Sequence, residues 1–203
     1  MRNNKRMLGN VLLMLTAMIW GTAFVFQRVG MEDIEPITFN AARMALAAVA
    51  VGAVSMLPMA SEKGKLAIMS REARAAYRRN TIVGGICCGA FLAAASIFQQ
   101  MGIVYTTAGK AGFITAMYML LVPVIGFLFL GKRNSWIVWL AVLMGVVGMY
   151  LLCMTESFHL GRGDTLVCIC AVLFSGHILC CDYFVKLGNP IRISATFPCY
   201  IDF

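Results

Sequence analysis

Six long apolar stretches separated by polar gaps divide the chain, at residues 8–27, 37–57, 81–103, 108–130, 135–154 and 164–184. Each approaches the ~20 residues that a helix needs to cross the hydrocarbon core of a bilayer. None alternates apolar and polar positions as a barrel strand does, so the pattern predicts helices. The gaps are short except for residues 58–80. That segment holds Arg71-Glu72-Ala73-Arg74-Ala75-Ala76-Tyr77-Arg78-Arg79, a run of good helix formers expected to be solvated or to lie on an anionic membrane surface. The first stretch follows Arg2, Lys5 and Arg6, as a signal peptide's core would. It is too long for such a core and ends in Phe24-Val25-Phe26-Gln27-Arg28 without a small-residue cleavage pattern, so it reads as a first span.

Composition agrees with lipid as the solvent. Of 203 residues, 61% are hydrophobic and 13% charged, too few charges to cover a water-soluble surface. The net charge of +8 does not imply a nucleic-acid partner, because the charges fall in the gaps and do not gather on one soluble face. Their distribution sets an orientation instead. With the N-terminus in the cytoplasm, the inside segments carry Arg2, Lys5, Arg6, Lys63, Lys65, Arg71, Arg74, Arg78, Arg79, Lys132, Arg133, Lys186 and Arg192. The outside segments carry Arg28, Lys110 and Arg162, and Arg43 lies within the second span. The expected location is the cell (plasma or inner) membrane, multi-pass.

The chain shows weak self-similarity. A shift of 154 residues places Gly9-Asn10 on Gly163-Asp164, Ala17 on Ala171, Trp20 on Phe174, Pro36 on Pro190 and Ala41 on Ala195. A repeat unit of five helices is odd, so a second copy enters the membrane upside down, the architecture of many secondary transporters. The sequence thus predicts a first five-helix repeat at 8–154 and the start of a second, truncated repeat at 163–203. A partial seventh span would end the chain, with Pro198 and Asp202 where the second span has apolar residues.

Several segments resemble EamA-type members of the drug/metabolite transporter superfamily. They are Ile19-Trp20-Gly21-Thr22-Ala23-Phe24, Pro36-Ile37-Thr38-Phe39-Asn40-Ala41-Ala42-Arg43, and Tyr105-Thr106-Thr107-Ala108-Gly109-Lys110-Ala111-Gly112-Phe113-Ile114-Thr115-Ala116 continuing to Leu121-Val122-Pro123. Gly161-Arg162-Gly163-Asp164 resembles the start of the family's second repeat. The resemblance implies a ten-helix, all-α polytopic fold of two inverted five-helix repeats that carries small metabolites, amino acids or drug-like solutes. Gly131-Lys132-Arg133 departs from it, standing where many members have a glutamate.

Polar and kinked positions within the spans are the candidates for a substrate path. Arg43 would face an anionic solute or snorkel to the interface. Lys110 opens the fourth span. Gln99 and Gln100 are adjacent, so one is expected to face protein. Asn40, Thr115 and Tyr118 offer uncharged polar groups, and Trp20 sits past the middle of its span, away from the interfacial belt. Pro123 is expected to kink the fourth span. His177 and Asp182 are five residues apart and poorly aligned for a proton relay. Gly85-Ile86-Cys87-Cys88-Gly89 has the spacing that lets two helices approach closely.

The eight cysteines read as packing residues, since the adjacent pairs Cys87–Cys88 and Cys180–Cys181 suit neither a disulfide framework nor a zinc site. No metal or cofactor is expected. No phosphate-cradling loop, Cys-x-x-Cys or His-Glu-x-x-His pattern occurs, which leaves a membrane enzyme the remote alternative to a transporter. An inactive truncated fragment is the nearer alternative. Expected partners are the lipid bilayer, a small-molecule solute and, as an alternative assembly, a second copy in a homodimer.

Overall fold

A computed structural model describes residues 2–56, 66–131, 134–153, 161–189 and 193. Among the described residues the main helices are, in order, α1 (Arg2–Gly30), α2 (Pro36–Met56), α3 (Arg71–Val104), α4 (Ala108–Ala116), α5 (Tyr118–Leu130), α6 (Trp136–Cys153) and α7 (Arg162–Phe184). There is no strand among the described residues. Five segments are long and apolar enough to cross a membrane: Met7–Gly30, Pro36–Ala53, Arg71–Val104, Ala108–Phe129 (α4 and α5 together) and Arg162–Phe184. Trp136–Gly148 is a shorter apolar helix. The protein is therefore an all-α polytopic membrane protein, as its hydrophobic pattern predicts. Of the region assigned to a partial seventh span, all but Ile193 lies outside the described residues beyond Asn189.

The helices divide by what they bury. α1 and α2 leave most of their apolar side chains uncovered, Leu13 at 70% and Leu46 at 73% exposure among them. In water such surfaces would aggregate; in hydrocarbon they are matched to the solvent. α3 and α7 form the broadest contact of the bundle. Their approach depends on glycine. A Cβ on Gly102 would lie 2.6 Å from Val167 Cγ2, and one on Gly163 would lie 2.7 Å from the Gly102 carbonyl oxygen. Gly85 and Gly89, the small pair marked in the sequence, are buried on α3. One apolar core gathers Phe24, Ile103, Ala111, Ile114 and Val167. A second gathers Ala95, Cys170 and Phe174. Both lie against α3 and α7.

Two elements differ from the sequence expectation. Residues 71–79 are not a separate surface helix. Ser70 caps them, its Oγ accepting from the Ala73 amide at 3.2 Å, and they run straight into the third span. The resulting 34-residue helix is about 51 Å long. It overreaches the ~30 Å hydrocarbon core, so its arginine-rich first turns project beyond the lipid. In the fourth span the interruption falls at Met117, and the helix continues through Pro123. There the bonding tightens, with the Met117 amide donating to Ile114 at 3.1 Å and the Leu120 amide to Met117 at 2.9 Å. Such three-residue bonds shorten the turn and divide one span into α4 and α5.

Candidate functional site

At one end of the bundle, the ends of α1 and α3 and the starts of α4 and α7 converge. Arg28, near the C-terminus of α1, donates from Nη1 to the carbonyls of Ile103, Val104 (2.8 Å) and Thr106 (3.2 Å). The Ile103 and Val104 carbonyls end α3 and Thr106 lies just beyond it, so a cation supplied by a neighbouring helix satisfies them and meets the negative end of the dipole. Thr107 then starts α4, its Oγ1 accepting from the Lys110 amide at 3.2 Å. This places Lys110 in the first turn.

Lys110 meets Asp164 from α7, Nζ to Oδ2, at 2.7 Å. Thr106 Oγ1 donates to Asp164 Oδ1 at 2.7 Å, and the Gly161 amide donates to Oδ2 at 3.0 Å. The carboxylate is 3% exposed yet held by three donors, one of them charged, and sits at the N-terminal end of α7 where the dipole favours an anion. A cleft of about 420 Å³ opens beside the pair, lined by Arg28, Tyr105, Thr106, Lys110, Gly161 and Asp164 among others.

Behind this end lies a mixed aromatic and polar layer. Trp20 of α1 stacks on Tyr118 of α5 with centroids 6.0 Å apart, and both rings contact Phe174 of α7, at 6.4 and 6.1 Å. Arg43 donates from Nη2 to Asn40 Oδ1 at 2.9 Å, and Asn40 Nδ2 donates to Ser96 Oγ on α3 at 3.3 Å. Gln99 Nε2 donates to Thr115 Oγ1 on α4 at 3.2 Å. Both glutamines of the Gln99-Gln100 pair are buried, against the expectation that one would be. Their carrier helix is enclosed on two sides: Gln99 turns to α4, while Gln100 Nε2 contacts Met31 Sδ at 2.8 Å. The buried oxygens Oε1 of Gln27 and Oε1 of Gln100 have no protein donor among the described residues.

The structure thus joins the sequence candidates in pairs: Trp20 with Tyr118, Asn40 with Arg43, Gln99 with Thr115. Lys110 stands apart, beside the cleft with Asp164. Pro123 lies deeper in α5, its carbonyl accepting from Asn134 Nδ2 at 2.9 Å. Asp164, Thr106, Arg28, Ser96 and Phe174 were not among the candidates. Asp164 and Thr106 both occur in the family-like motifs, and Phe174 is the counterpart of Trp20 in the self-similarity, so each had a signal in the sequence. The cysteines hold a further surprise. Cys88, His177 and Cys181 lie together, their ligand atoms within 4.8 Å of one another. Asp182 forms an ion pair with Lys186 at 2.7 Å.

The described residues thus form a multi-span helical bundle with a part-buried ion pair at one end and polar and aromatic contacts between its helices. The chain belongs to the EamA-like transporter family, which it matches over residues 7–154. It is also 28% identical over 194 residues to a protein of Archaeoglobus fulgidus described as an uncharacterized transporter. That match covers 94% of this chain and 54% of the relative, so the chain spans about half the length of the curated relative it matches. No solved structure matches.

Proposed function

We propose that the chain works as a secondary transporter that moves a small metabolite, amino acid or drug-like solute across the cytoplasmic membrane by alternating access. The observation that carries this reading is the Lys110–Asp164 pair, which ties the first five spans to α7 at one end of the bundle. A charge pair suits a gate. Dry, it is strong; once water enters, attraction and solvation nearly balance and it parts at little cost. The excess of basic residues in alternate loops supports a cytoplasmic N-terminus, which puts the Lys110–Asp164 end on the outer side. α7 then begins a second, inverted repeat at about residue 163.

The path would pass Trp20, Asn40, Arg43, Gln99, Thr115 and Tyr118. Aromatic faces and amide groups together suit a solute with an apolar body and a few hydrogen-bonding groups. The orphan oxygens of Gln27 and Gln100 are acceptors, available to water or to a solute's N–H. Counterflow in proteoliposomes, with labelled amino acids and cationic dyes tried in turn, tests the proposal. Gradient-dependent uptake that is lost in W20A and R43A supports it. Uptake no greater than that of protein-free vesicles across the panel supports the alternative, an inactive piece of such a transporter.

A further inference from the structure

We propose that Cys88, His177 and Cys181 form a binding site for a divalent, thiophilic metal ion of the zinc class at the seam between α3 and α7. The site is separate from the gate and from the polar layer, and it does not depend on the transport reading.

Two of the three ligand spacings match four-coordinate ligation, and all three ligand atoms lie within 4.8 Å of one another. Two thiolates about 2.3 Å from a tetrahedral ion stand about 3.8 Å apart, and a thiolate and an imidazole nitrogen about 3.6 Å apart. Here Cys88 Sγ and Cys181 Sγ are 3.7 Å apart, and Cys181 Sγ is 3.6 Å from His177 Nε2. A disulfide needs the sulfurs at about 2.05 Å, so the same spacing does not describe an oxidised pair.

The histidine is already oriented for the task. Its Nδ1 lies 3.0 Å from the Cys88 carbonyl oxygen. A carbonyl only accepts, so that contact places the proton on Nδ1 and leaves the Nε2 lone pair facing the thiols. Metal-bound histidines are held in this way, with the second ring nitrogen donating to a carbonyl or carboxylate. His177 and Cys181 share one face of α7 at a four-residue spacing, and Cys88 comes from the facing helix. Cys88 is fully buried, and His177 and Cys181 are half-buried.

Charge fits the surroundings too. On binding, both thiols release their protons to water, two metal–sulfur bonds and one metal–nitrogen bond form, and the two thiolates cancel the double positive charge. A neutral centre is what a low-dielectric interior tolerates. The described residues supply three ligands, and the fourth position is left for water. Because the ligands come from both helices, the bound ion would staple α3 to α7.

Cadmium serves as the probe, added to the purified full chain in detergent with a non-thiol reductant. The expected result is thiolate-to-metal charge-transfer absorbance that saturates at one ion per chain. Binding should also protect the half-buried Cys181, and not the comparably exposed Cys168, from alkylation mapped by mass spectrometry. C88S, C181S and H177A should each weaken the titration at least about tenfold. Protection falling on other cysteines, or a titration unchanged in the three variants, would overturn the proposal. If the variants fold poorly, the wild-type protection map decides alone.

Discussion

Trp20 and Phe174 meet edge to face, ring centroids 6.4 Å apart and planes at 72°. Each lies near the middle of its span, and they are one of the pairs of positions that the 154-residue shift superimposes. When two segments are related by a two-fold axis, residues near the axis face their own counterparts. The contact supports the reading of α7 as an inverted counterpart of α1. W20A should cut solute flux at least tenfold while W20F keeps most of it. Trp20 is 40% exposed and loses two aromatic contacts of about 0.5–1.5 kcal/mol each, so stability should fall by only about 1–3 kcal/mol. Thermal unfolding in detergent, measured beside flux, separates the two effects.

D164N should destabilise the chain by about 2–3 kcal/mol. Removing one member of a buried pair leaves the other unmatched, at a cost of about 3–5 kcal/mol, and Lys110, 22% exposed, recovers part of this from water. The charge swap K110D/D164K should restore part of the lost melting temperature. Equal melting of D164N and wild type would remove the pair from the account of closure.

N40A breaks the link between Arg43 and Ser96. The expected loss is about 1–2 kcal/mol, the cost of one buried hydrogen bond and a stranded partner. Hydrogen exchange should rise in α2 and leave α7 unchanged, since Asn40 ties α2 to α3.

G163A should destabilise by about 1–3 kcal/mol, the usual effect of overpacking. Its new methyl would press on the Gly102 carbonyl and on Tyr105, and backbone cannot swing aside as a flexible side chain can. G9A, at the corresponding position of α1, meets nothing within 4 Å and should be neutral.

The spans were legible because bilayer thickness imposes a length on apolar runs, whatever the packing. What each helix touches was not. Lys110 read as a residue opening a span; its partner Asp164 is 54 positions away, and only the meeting of α4 and α7 joins them. The extension of α3 upstream of residue 81, back to Arg71, was hidden because hydropathy marks where lipid ends, and a helix is free to continue in water. The break at Met117 was hidden because no proline or glycine marks it; it shows only in the three-residue bonds from Met117 to Ile114 and from Leu120 to Met117. The adjacent cysteine pairs have a spacing of one, while the cluster uses His177 with Cys181 four apart and Cys88 from another helix.

Bridging residues 110 and 164 tests the gate most directly. K110C/D164C, in a chain whose other cysteines are serine, would be oxidised or joined with a short bis-maleimide in proteoliposomes. Gating at this seam requires that the bridge stop flux and that reduction of the disulfide restore it. Full bridging with undiminished flux would show that the two helices never part here during transport.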